Sequence, residues 1–275
     1  MLKEDVIGGI AERAIGGIAE RAKRNNPATP DDYIGEDGLL HCGKCGEPKE
    51  CRIFAGTKEI VVCCLCRCGL DARKKTAEDA YQRLNEERRA EWLRGYEGMT
   101  FDNSTGNPSM FFAEKFIHRW TDILENGLSF TLSGAVGCGK TYAAASIANE
   151  LLDRGYRVWM VSTVNLLDRM FDEADIIRNR LATFELVVLD DFGAERNTEY
   201  AAEKMFQIID DRMRSRLPTI ITTNIDITQP TDNLTYQRIF SRLNGEAPQF
   251  RCKGGDLRAD RGREKRQLAN EILKS

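Results

Sequence analysis

The chain has 275 residues, 40 Lys and Arg against 43 Asp and Glu, and a hydrophobic share of 41%. The near balance of charge excludes a global basic field for gripping nucleic acid, so any such contact must come from a local patch. Glycine and proline are too few for a low-complexity chain, and no apolar run approaches the roughly 18 residues of a transmembrane helix.

The N-terminus, MLKEDVIGGIAERAIGG, carries acids early and lacks a long apolar stretch. It is not read as a signal peptide, so the chain is expected to be cytoplasmic. Residues 7–14 (IGGIAERA) recur as residues 15–22. The eight-residue period is close to two helical turns and puts Ile7, Ile10, Ile15 and Ile18 on one face, but each paired glycine costs about 1 kcal/mol in a helix. Residues 1–37 therefore read as a marginal helix and a linker, the latter rich in turn formers from Asn25 to Asp37.

Seven of the nine cysteines fall between Cys42 and Cys68. Clustered thiols point to metal, where a secreted disulfide framework would spread its pairs. Residues 38–69 are expected to form a small zinc-binding module. Cys42-Gly-Lys-Cys45 supplies one CxxC knuckle, and Cys63 with Cys66 supplies a second in the spacing of a four-thiolate site. About thirty residues cannot build an adequate core, so the metal would supply folding free energy. Residues 70–108 read as a charged connecting helix, Leu70 to Tyr96, followed by a break rich in turn formers.

From residue 109 helices alternate with short apolar runs. Ser109 can cap a helix reaching Leu124; Leu128–Ser133 reads as a strand, Thr141–Arg154 as a helix, Tyr156–Val161 as a strand and Val164–Arg180 as a helix. Leu186–Leu189 reads as a buried strand, Glu199–Ser215 as a helix and Thr219–Thr223 as a strand. This alternation predicts an α/β fold, a parallel sheet flanked by helices, over residues 109–260. Residues 261–275 form a basic tail. The last 25 residues carry eight basic against four acidic side chains, which suits either a phosphate contact or a solvated helix. Met110, Phe111, Phe112, Phe116 and Trp120 lie at helical spacing and are read as core.

Gly134-Ala135-Val136-Gly137-Cys138-Gly139-Lys140-Thr141 fits the phosphate-loop pattern between a predicted strand and a predicted helix. Its glycines let backbone N–H groups turn toward phosphate oxygens, and the helix that follows brings its positive end. Lys140 would reach the β- and γ-phosphates of ATP and Thr141 would ligate Mg²⁺. The apolar run before Asp190-Asp191 places two carboxylates at the C-terminal edge of a central strand, where ligands bind in open α/β sheets. Asp190 would hold Mg²⁺ and Asp191 would polarise the attacking water. Asn224 ends the next strand, either as a turn former or as a group facing the γ-phosphate.

The phosphate loop, the stretch Leu189-Asp190-Asp191-Phe192-Gly193-Ala194-Glu195-Arg196 with Thr198-Glu199-Tyr200, and the strand end Thr222-Thr223-Asn224 together resemble the AAA+ ATPases of the DnaC/DnaI helicase-loader group. That group is often encoded by phages and prophages, and it shares its core with the IstB transposition ATPases. The resemblance covers residues 98–260 and implies an AAA+ P-loop core. It implies that Asn224 is the sensor-1 residue and that Arg242, in Arg238-Ile-Phe-Ser-Arg242-Leu243, is an arginine finger acting on a neighbouring subunit. It also implies that Arg258 is the sensor-2 arginine, although Asp256 stands where the family commonly has Ser. Asp191 stands where many AAA+ proteins have Glu, whose longer reach it lacks, and so suggests slow or partner-stimulated hydrolysis. Related loaders carry a C-x-C-x-C run that maps onto Cys64, Cys66 and Cys68. Cys66 is common to both readings; the Zn²⁺ set expected is Cys42, Cys45, Cys64 and Cys66, with the second pair open among Cys63, Cys64, Cys66 and Cys68, and with His41 and Cys51 as spectators.

What the resemblance implies for function is ATP-dependent loading of a hexameric replicative helicase onto single-stranded DNA, with self-association in the presence of ATP. Two alternatives stay open: an IstB-like regulator of transposition, and an adaptor that binds nucleotide without significant hydrolysis.

Overall fold

The computed structural model describes residues 27–55, 58–104, 107–170, 172–194 and 198–274. The duplicated segment at residues 7–22 and the pair Glu195-Arg196 lie outside them. The chain divides into two compact units at residues 83 and 84. That division falls inside the helix α1 (Arg67–Trp92), within the stretch expected to be a connector. Among the described residues no helix is long and apolar enough to cross a membrane.

The first unit is built on two antiparallel pairs, β1 (Tyr33–Ile34) with β2 (Leu40–His41), and β3 (Glu50–Ala55) with β4 (Lys58–Cys63). Among its described residues the buried apolar ones are Leu39, Cys42 and Cys66. Polar ties do part of the work. Lys49 is buried and its Nζ donates to Asp32 Oδ2 at 2.6 Å and to the Pro27 carbonyl at 2.7 Å. The ammonium and two backbone N–H donors hold the Asp32 carboxyl well below the usual carboxylate range.

The second unit carries the expected α/β fold. Five parallel strands lie in the order β6-β7-β8-β5-β9: β5 (Phe130–Ser133), β6 (Val158–Ser162), β7 (Leu186–Phe192), β8 (Thr219–Thr223) and β9 (Gln249–Arg251). Alternate residues of β7 serve opposite cores. Leu186 and Val188 join the cluster made by α2 (Met110–His118), α3 (Trp120–Asn126) and α4 (Lys140–Asp153). Val187 and Leu189 join the cluster made by α5 (Thr163–Arg169), α6 (Ala174–Thr183), α7 (Glu199–Arg214) and α8 (Leu234–Glu246). A strand covered on both faces needs an unbroken apolar run, which is what its sequence shows. Met110, Phe112, Phe116 and Trp120 are buried as expected, whereas Phe111 is 57% exposed.

Three elements depart from the expected bounds. The helix expected from Ser109 to Leu124 breaks at Arg119, whose N–H is shared between the Lys115 and Phe116 carbonyls. The helix expected over Val164–Arg180 is two, closed after Arg169 by turns from Asp172 and Glu173 back to the Arg169 carbonyl. Strand β7 runs on through both acids to Phe192, with a register shift between Leu189 and Phe192. Helix α8 is capped by Asn233, whose Oδ1 accepts from the N–H groups of Thr235 and Tyr236. Helix α9 (Leu257–Lys274) fills the tail.

Arg212 of α7 is 1% exposed and has no carboxylate partner among the described residues. Its guanidinium donates to the carbonyls of Leu181 (2.7 Å), Phe184 (2.9 Å) and Pro218, and to Thr219 Oγ1 (3.1 Å), joining α6, α7 and the start of β8. Burial lowers its pKa to about 9, so it stays cationic at neutral pH. Substitution Arg212→Leu strands several buried carbonyls at once. It is expected to lower the unfolding free energy of this unit by about 3 kcal/mol, read by urea unfolding.

Candidate nucleotide site and cysteine cluster

The loop Gly134–Gly139 connects β5 to α4, so its backbone amides gather at the N-terminus of a 14-residue helix. Gly137 and Gly139 have φ of 80° and 94°. A Cβ on Gly139 would sit 2.2 Å from Asn107 Oδ1. Only glycine meets both demands. Lys140 is buried, and its Nζ donates to the carbonyls of Gly134 and Ala135, each at 2.9 Å, and to Asn224 Oδ1 at 2.8 Å. Lys140 and Asn224 are 84 residues apart in sequence and meet because β5 and β8 are neighbours. Val136 is exposed and Cys138 is fully buried under the loop.

Asp190, 3% exposed, closes the other side. Its Oδ1 accepts from Thr222 Oγ1 at 2.6 Å and its Oδ2 from the Tyr96 hydroxyl at 3.1 Å. The Thr141 hydroxyl stands near this carboxylate and favours its charged form. Burial pushes the Asp190 pKa up and the charge of Asp191 adds to the rise, while the three hydroxyls pull it down. Asp191 adopts φ 54°, a left-handed conformation that few non-glycine residues take. Its N–H leaves the strand ladder for Thr222 Oγ1 at 3.0 Å, and its carbonyl accepts from Thr163 Oγ1 at 3.1 Å. The bulge in β7 thus takes the backbone of the second acid out of the regular ladder.

These contacts form two hydrogen-bonded sets, Lys140 with Asn224 and the loop carbonyls, and Asp190 with Thr222 and Tyr96, with Thr141 next to Lys140 at the start of α4 and Asp191 next to Asp190. The Leu257 N–H donates to the Gly137 carbonyl at 3.1 Å, so α9 starts on the phosphate loop; the Arg258 side chain lies outside the described residues. Arg242 on α8 is placed elsewhere, ion-paired with Asp210 of α7 and with Glu246. Sequence reasoning missed two members. Thr222 lay in a quoted motif but without a role. Tyr96 is the last residue of the stretch read as the charged connecting helix, with no motif around it, whereas that helix closes at Trp92 and leaves Tyr96 in the turn that follows.

The fit to Mg²⁺ rests on the donor set: a buried carboxylate beside the Thr141 hydroxyl is the hard oxygen pair this ion selects.

In the first unit, the Sγ atoms of Cys42, Cys45, Cys66 and Cys68 all lie within 4.8 Å of one another. A tetrahedral zinc with Zn–S near 2.3 Å needs S···S separations of about 3.8 Å, so the group is close to ligating geometry. Backbone N–H donors, from Cys68 first and then Glu47, draw the Cys45 thiol down to about 6, whereas the hydrogen bond to Cys45 and burial push Cys68 up to about 12. Crowded thiols of this kind are relieved by a shared cation. The set corrects the expected one at a single position: Cys68 takes the place of Cys64. The Cys64 N–H continues the strand pairing to the Lys49 carbonyl and its Sγ donates to the Pro48 carbonyl at 3.4 Å, whereas Cys68 sits in the first turn of α1. His41 is engaged with Asp37 and the Gly46 carbonyl, outside the thiol group.

Comparison with known proteins follows the same lines. The family model described as IstB-like ATP binding protein matches residues 78–254. The replicative helicase loader DnaC of Escherichia coli (strain K12) is 32% identical over 125 residues, covering 43% of this chain and 51% of that one. The replicative helicase loader DnaI of Bacillus subtilis (strain 168) is 29% identical over 118 residues, covering 41% and 38%. The chain thus spans about half the length, or less, of these curated relatives. A crystal structure of the DnaC helicase loader superposes with TM-score 0.49 at 22% identity, covering 58% of this chain and 99% of that one. The resemblance to DnaC/DnaI-type proteins is borne out by these relatives.

For the thiol cluster, Cys68→Ser is expected to reduce tightly bound zinc to less than about a tenth of the parent's, and Cys64→Ser to leave it at one ion per chain. Metal analysis of purified protein after dialysis reads both.

Proposed function

The chain belongs to the IstB-like ATP binding protein family, and on that premise we propose that it is an ATP-dependent loader of a hexameric replicative helicase onto single-stranded DNA. The observation that carries the ATP part is the meeting of Lys140, Asn224 and the loop carbonyls opposite a buried Asp190. The helicase part is supported by the relatives named as replicative helicase loaders.

In this reading the backbone amides of residues 134–139 and the Lys140 ammonium bind the phosphates. The ammonium exchanges the loop carbonyls for phosphate oxygens, which offer a full charge in their place. Thr141 and Asp190 would hold Mg²⁺, which when bound screens the charge of the β- and γ-phosphates. Asp191 orients the attacking water and takes its proton. Asn224 holds the γ-phosphate end, and Arg242 serves the site of a neighbouring copy, so that ATP favours self-association. Arg258 serves as the sensor-2 arginine that the resemblance implies. The cysteine module, with zinc on Cys42, Cys45, Cys66 and Cys68, serves a protein partner. ATP then acts as a timer: binding favours assembly on the helicase and hydrolysis releases it.

A second reading, a regulator of transposition, follows from the resemblance to the IstB ATPases, and the IstB-like family model matches residues 78–254. It uses the same ATP site with a transposase as partner. Capture of a hexameric helicase from host lysate in the presence of ATP, and not in its absence, supports the loader; capture of a transposase instead overturns it.

Lys140→Ala is expected to weaken MgATP binding by about 100-fold or more, since it removes a charge-assisted contact to two phosphates. Calorimetry reads this. Asp191→Asn is expected to lower kcat by about 10²- to 10³-fold with KM for ATP within about threefold, because it removes an interaction made only during hydrolysis. Steady-state turnover with and without single-stranded DNA reads that split.

A further inference from the structure

Tyr96 stands in the turn after α1, 94 residues from the carboxylate it touches. Its hydroxyl donates to Asp190 Oδ2, while Thr222 occupies Oδ1. The turn is fastened to α4, the helix that follows the phosphate loop. Asn149, buried on that helix, donates to the Tyr96 carbonyl at 2.9 Å and to the Met99 carbonyl at 3.2 Å. The Tyr142 hydroxyl donates to the Thr100 carbonyl at 3.0 Å. The Tyr96 ring packs against the core formed by α2, α3 and α4. These ties fix the phenol over the carboxylate and set it there as a built part of the site.

We propose that Tyr96 is a positioning residue that guards Asp190, its O–H occupying a carboxylate oxygen that a divalent cation would otherwise take. The inference rests on the nucleotide reading of this site and adds a control on its metal. A hydrogen bond to a carboxylate bearing its full charge is stronger than one to a carboxylate sharing that charge with a cation. The hydroxyl therefore favours the metal-free site and raises the metal concentration needed to load it. Because the turn precedes the phosphate loop and is tied to its helix, Asp190 opens to metal only as the turn gives way.

The test titrates the full chain with ATP by calorimetry at a series of free Mg²⁺ concentrations, for the parent and for Tyr96→Phe, which keeps the ring. The expected result is a half-saturating Mg²⁺ concentration about three- to tenfold lower in Tyr96→Phe, with ATP affinity at saturating Mg²⁺ within about twofold of the parent. Asn149→Ala loosens the turn and leaves the hydroxyl in place; it is expected to shift the Mg²⁺ curve in the same direction by a smaller factor. A tyrosine with a merely structural role would lower the thermal midpoint and leave the Mg²⁺ curve where it was. An unchanged or raised Mg²⁺ requirement in Tyr96→Phe overturns the proposal. If the parent binds ATP at no Mg²⁺ concentration, the nucleotide reading falls and this inference falls with it. If the parent binds and the curves superimpose, only the role of Tyr96 falls.

Discussion

A carboxylate buried at the end of a central strand has to be satisfied from three directions, and much of the second unit is arranged around that demand. Asp190 ends the apolar run of β7 with almost no access to water. Left alone, it would take up a proton or destabilise the sheet. Thr222 reaches it from the neighbouring strand, Thr141 from the phosphate-loop helix and Tyr96 from the turn before the domain's first buried helix. Each hydroxyl belongs to a different element, so the carboxylate fastens strand, loop and turn together. Lys140 plays the matching part across the site, a buried cation held by carbonyls and by an amide.

The same architecture explains why Asp190 and Asp191 sit in different surroundings despite being adjacent, the first buried and the second only partly so. In a regular strand they would point to opposite faces. Here the bulge and the left-handed backbone at Asp191 release its N–H to Thr222 and take its backbone out of the ladder. One hydroxyl, that of Thr222, thus serves both acids, donating to the first and accepting from the backbone of the second. Backbone strain of this kind persists only where the surroundings hold it, and it concentrates at working sites.

The first unit solves a different problem. Its described residues form two short antiparallel pairs with few buried apolar side chains, too little to fold on hydrophobic burial alone. Four converging thiols and a buried Lys49–Asp32 pair stand where a larger domain would have a core. The helix α1 begins among those thiols, with Cys68 in its first turn, so the cluster also fixes where that helix starts.

The sequence by itself determined what is local. The phosphate loop was legible because eight consecutive residues carry its chemistry, and the sheet was legible because strands buried on both faces must be continuously apolar. Arg242 was legible only as a motif, and the fold places it with Asp210 and Glu246 of its own chain. Tertiary structure decided what depends on direction. Spacing alone cannot say which of Cys64 and Cys68 points inward, because that turns on where β4 stops pairing and α1 begins. Nor can it say that Tyr96 meets Asp190: a hydroxyl finds a carboxylate across 94 residues only after the sheet has placed one and a fastened turn the other.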